Sequence, residues 1–119
     1  MNATEVSEIF ASELLKIEDV RLRERVSSVS IEPCVETRAW SGALAREECR
    51  VWIVIRIPNS DIVVGYTREA FGRNGFTWGL MLLDDDWIGD ASCWYRTLRD
   101  CVSDASYFED WIWPNHQPS

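Results

Sequence analysis

Four aspartates crowd into the segment LLDDDWIGD: Asp84, Asp85, Asp86 and Asp90. Carboxylates this close together have several chemical uses. They coordinate Ca2+ or Mg2+, but the alternating D-x-[DN]-x-[DN]-G pattern of a calcium loop is missing. Two of them can divide acid and base roles, as in glycoside hydrolysis, but a chain of 119 residues offers little cleft for that. They can form a solvated loop that caps a following helix. They can also form an acidic contact surface for a protein partner. The capping loop is the simplest use, and the contact surface is the functional alternative.

The rest of the chain gives an active site little support. The one histidine, His116, lies in the C-terminal tail, and without another neither a Ser/His/Asp nor a Cys/His arrangement is expected. Cys34, Cys49, Cys93 and Cys101 form no C-x-x-C pair, which argues against a zinc site. Reduced thiols serving as small buried hydrophobes are the expectation for them. No H-E-x-x-H, P-loop or dinucleotide fingerprint is present. GRNGFTWG carries three glycines but precedes a strand pattern rather than a helix, so it is a loop and not a phosphate cradle. A protein without catalysis, metal or cofactor is therefore expected.

Charge points toward a partner instead. The net charge is −8, which disfavours binding to a phosphate backbone. From residue 80 onward eight acids face two bases, so six of the eight net negative charges fall in the final third. Trp87, Trp94, Tyr95, Tyr107, Phe108, Trp111 and Trp113 share that stretch. Aromatic anchors among carboxylates suit an interface with a basic protein, because aromatics bury large areas at low entropic cost. The candidate contact residues are Asp84, Asp85, Asp86, Trp87, Asp90, Glu109, Asp110, Trp111 and Trp113. Core packing competes as the use of Trp87, Trp111 and Trp113, and it is the expected use of Trp40, Trp52, Trp78 and Trp94.

These residues need a scaffold. Hydrophobic residues make up 46% of the chain, enough for one packed domain over residues 1–119. There is no run of about 18 apolar residues, and the acidic, amphipathic start lacks the basic and apolar blocks of a secretory signal, so a cytoplasmic protein away from membranes is expected. Val6, Ile9, Phe10, Leu14 and Ile17 recur at helical spacing and predict a helix over about 4–17, capped by Thr4. Asp19 either caps a short second helix, VRLRERV, or continues the first. Residues 29–40 look extended, and Pro33 marks an edge or a bulge there. RVWIVIRI at 50–57 has the continuous β-branched pattern of a central strand. PNSD forms a turn, IVVGY at 62–66 a partner strand, and FTWGLMLL at 76–83 a further strand. A helix is expected from Asp90 or Ser92 to about 104, with Trp94, Leu98, Cys101, Val102 and Ala105 on its apolar face. The fold class is α+β: an antiparallel sheet of three to five strands against an N-terminal and a C-terminal helix. Trp52, Val54, Leu80, Leu82, Trp94 and Leu98 are its expected core.

The stretch GYTREAFGRNGFTWGLMLLDDDWIGDASCWYRTLRDC, with Phe71-Gly72, Trp78-Gly79-Leu80 and Trp94 followed by Leu98, resembles small bacterial single-domain proteins of the toxin-immunity type. The resemblance spans roughly residues 50–105 and assigns no functional residues. It implies an inhibitor that covers a toxin with an acidic surface. Two other readings stand beside it. One is a nucleic-acid mimic that blocks a DNA-binding protein. The other is a homo-oligomeric or small-ligand-binding domain, a homodimer for instance, whose aromatics bury each other.

Overall fold

The computed structural model describes residues 1–41 and 46–104. Helices α1 (Ala3–Leu15) and α2 (Val20–Ser28) lead into strands β1 (Ser30–Ser41), β2 (Arg46–Arg56), β3 (Ile62–Tyr66), β4 (Trp78–Leu82) and β5 (Trp94–Tyr95), and helix α3 (Leu98–Ser103) follows. The strands form one antiparallel sheet in chain order, β1-β2-β3-β4-β5. The fold is the α+β architecture expected from the hydrophobic pattern. No helix among the described residues is long and apolar enough to cross a membrane.

Local signals explain the helix starts. Asn2, not Thr4, caps α1: its side chain accepts from the Glu5 amide while the Glu5 carboxylate accepts from the Asn2 amide, a reciprocal capping box. Asp19 caps α2 through the Leu22 amide. Glu13 reaches across from α1 and accepts from the Leu98 amide at 3.2 Å, joining α1 to the start of α3.

The sheet is covered on both sides, which is why β2 and β3 read as nearly unbroken apolar runs. The helices cover one face, where Val6, Ile17, Leu22 and Val26 pack on Val54, Val64, Tyr66, Trp78 and Leu80, with Leu98, Cys101 and Val102 from α3. On the other face, Val51, Ile53, Val63 and Met81 meet Ala70, Ile88 and Trp94. A bulge in β2 between Ile53 and Ile55 lets Val54 and Ile55 both join the helix-side core. A second irregularity, between Ser30 and Cys34, falls where Pro33 marks the edge strand β1.

Four further expectations are corrected. No helix starts at Asp90 or Ser92: Ala91–Cys93 is a 3-10 turn, β5 follows, and α3 begins only after its cap Thr97, whose hydroxyl accepts from the Asp100 amide. Trp94 joins the sheet edge because its indole lies on Gly79, where a Cβ would collide with the ring. RVWIVIRI is second from the edge, and β3 holds the centre. Leu82 is 51% exposed: it lies at the end of β4, paired with β3 on one side but beyond the reach of β5, which pairs only with Trp78 and Gly79. Trp52 is half-buried against the helix-side core rather than enclosed by it.

Candidate functional site

The acidic segment follows β4 and returns to the opposite edge of the sheet. Its path is set by Arg38 of β1, which is 2% exposed. The Arg38 guanidinium donates through Nη1 to the carbonyls of Leu82 (2.8 Å) and Trp87 (3.1 Å), and through Nη2 to that of Leu83 (3.2 Å). Its Nε donates to Glu36 at 3.0 Å, and the same carboxylate neutralises it as an ion pair. A planar cation with five donors is suited to gathering several carbonyls that bend around one point.

Backbone pairing continues the hold. The Ala39 amide donates to the Asp86 carbonyl at 2.6 Å, and the Ile88 amide donates to the Ala39 carbonyl at 3.1 Å, a short parallel bridge on the outer edge of β1. The sheet thereby curls until the segment after β4 meets β1. At the start of the segment, the Leu83 amide donates to the Asp61 carbonyl. At its end, Ile88 is fully buried, and its carbonyl accepts from Trp94 Nε1 at 2.8 Å. Gly89 then turns the chain at φ 82°, a left-handed conformation that glycine adopts without strain.

The side chains point the other way. Asp84, Asp85, Asp86 and Asp90 are exposed, and Trp87 keeps 37% of its surface accessible. One Asp85 oxygen accepts from the Trp87 amide at 3.1 Å. Beside the segment lies a cleft of about 240 Å3 lined by Ile62, Leu80, Leu82, Asp85, Trp87 and Asp90, among others. Trp87 and Asp90 also line a second cleft with Phe71 and Ala91.

The aspartates therefore do not cap a following helix, since that role falls to Thr97. Of the nine expected contact residues, Asp84, Asp85, Asp86, Trp87 and Asp90 come together on this one segment. Glu109, Asp110, Trp111 and Trp113 lie outside the described residues. Arg38 and the Ala39 bridge were not foreseen; the only trace in the sequence is Glu36-x-Arg38, an opposite-charge pair on one face of a strand. Among the described residues, no three His, Cys, Asp or Glu side chains come close enough to hold a metal ion.

The thiols are structural in setting. Cys49 and Cys101 are buried, Cys93 is half-buried, Cys34 is exposed, and all four are free. Burial, with the Glu69 carboxylate adding to it and Arg73 opposing it, pushes the Cys49 thiol up to about 11. Burial chiefly, then the carboxylate of Asp104, drives Cys101 well above the ordinary thiol range. Neither is a reactive thiolate at neutral pH. Tyr95, which donates to Asp104 at 2.6 Å, is raised as well, first by burial and then by that bond. The chain matches no protein-family model, no curated protein and no solved structure.

Proposed function

We propose that this protein acts by binding another protein, as an inhibitor of the toxin-immunity type. Asp84, Asp85, Asp86, Trp87 and Asp90 form part of the surface it offers to a basic partner. One observation carries this reading: the segment's carboxylates face solvent while its backbone is held by a buried arginine, a strand bridge and an indole N–H. A surface fixed in advance loses little conformational entropy on binding. Clustered negative charge speeds the encounter with a positive surface, and a half-exposed tryptophan gives the complex an apolar anchor. A nucleic-acid mimic needs carboxylates spaced along a broad track, whereas this cluster occupies a single loop.

The test begins with capture of a partner from the source organism on the immobilised full-length chain. The captured protein is then purified, and its activity and binding kinetics are measured. The expected partner is basic, and it loses its activity in an equimolar complex. Replacing Asp84, Asp85 and Asp86 together by Asn slows association and flattens its salt dependence. Trp87→Ala mainly speeds dissociation, by about 2 kcal/mol if the indole is a hot spot. A partner that keeps its activity in the complex, or that binds the triple variant at the parent's rate at every salt concentration, overturns the reading.

A further inference from the structure

We propose that the cleft beside the acidic segment is a socket for one arginine side chain of the protein partner, an assignment that rests on the partner-binding reading above. The cleft exists because β5 pairs only with Trp78 and Gly79, so the strand end at Leu80–Leu82 has space where a neighbour would lie. Its volume is about 240 Å3. Small-molecule and cofactor sites enclose about 300–1,000 Å3, so this cleft fits a single side chain better than a cofactor.

The lining selects which side chain. Ile62, Leu82 and Trp87 offer apolar surface, while Asp85 and Asp90 supply two carboxylates, and no Lys or Arg lies among the lining residues. A ligand that satisfies both features has an apolar stem and a cationic head. Arginine answers this better than lysine. Its flat guanidinium stacks on an indole and still presents a donor edge to a carboxylate, whereas an ammonium is a compact, strongly hydrated point charge. The hydrogen bond from the Trp87 amide holds Asp85 in place before any ligand arrives.

The test is an NMR titration of the isotope-labelled full chain with an Nα-acetyl-arginine methylamide, beside the matching lysine and norleucine compounds. The arginine compound is expected to bind with a Kd on the order of millimolar. It should produce saturable shifts of the Trp87 indole N–H and of the amides from Leu82 to Asp90. The norleucine compound, which has the stem without the charge, should leave them unmoved. Asp85→Asn with Asp90→Asn should weaken arginine binding about tenfold, and Trp87→Leu about threefold. The comparison of ligands on the parent protein needs no variant, so a misfolded variant does not rescue the idea. Equal binding of norleucine or lysine, shifts that map elsewhere, or unchanged binding by a folded double variant overturns the socket. Arginine binding here without inhibition of any partner sinks the inhibitor reading alone. A neutralised partner with no arginine response at Trp87 sinks the socket alone.

Discussion

The two faces of the sheet are packed by different means. On the helix side, the core comes from residues at regular spacing: Val6 on α1, Leu22 and Val26 on α2, Leu98 and Val102 on α3, against Val64, Trp78 and Leu80 of the sheet. On the inner side of the curl no α-helix packs among the described residues. A 3-10 turn, a loop and aromatic side chains fill it, with Phe71 6.3 Å from Trp94 and 5.7 Å from Trp40, ring centre to ring centre. The first face is a solution to burial. The second also steers a loop, because Arg38 and Trp94, buried on this side, donate to carbonyls of the acidic segment, whose own Ile88 is buried beside them. A segment that carries charge outward can be rigid when its backbone is satisfied from within.

The largest expected effect concerns Trp94, which joins the inner core to the segment. Trp94→Ala removes a large buried aromatic and leaves the Ile88 carbonyl without its donor. A loss of about 3–5 kcal/mol is expected in denaturant unfolding. If that variant unfolds at the parent's midpoint, the inner face contributes nothing as a core, and the contrast between the faces fails.

A smaller effect sharpens the comparison through the thiols, since Cys49 lies on the inner side and Cys101 on the helix side. Both are raised above their unfolded values. The stability they contribute is therefore fully present below about pH 9 and is lost as pH rises, for Cys49 across the interval from about 9 to about 11. For Cys49 this loss is on the order of 2 kcal/mol. Unfolding free energies measured from pH 8 to 11 on the parent and on Cys49→Ala should converge as pH rises, because the variant lacks that part of the alkaline loss. Parallel curves would remove Cys49 from the inner core.

The same contrast explains how much was legible in the sequence. The stripe on α1, the Asp19 cap, the bulge near Pro33 and the strand IVVGY follow from local rules of spacing and turn chemistry, and the structure has them. The reading of 90–104 as one helix failed for a physical reason. Trp94 and Leu98 stand four apart, as on a helix face, yet Trp94 enters the inner core and Leu98 the helix-side core. Identical spacing thus served two faces, and only the indole's seat on Gly79 distinguishes them. Leu80 and Leu82 likewise share a strand face by alternation, but Leu80 is buried while Leu82, at the last pair of β3 and β4, is exposed. Within the candidate site, composition and charge located Asp84 to Asp90. The support beneath it was hidden, because Arg38 lies more than forty residues from the carbonyls it gathers.

The central claim is that the acidic segment is held rigid from below before any partner arrives. Amide hydrogen exchange of the parent and of Arg38→Met tests it most directly. In the parent, the Ala39 and Ile88 amides, which donate across the bridge, should exchange as slowly as amides within β3 and β4. In Arg38→Met they should lose that protection, while the β3 amides retain most of theirs. Exchange at Ile88 in the parent as fast as in an unstructured peptide would contradict the account.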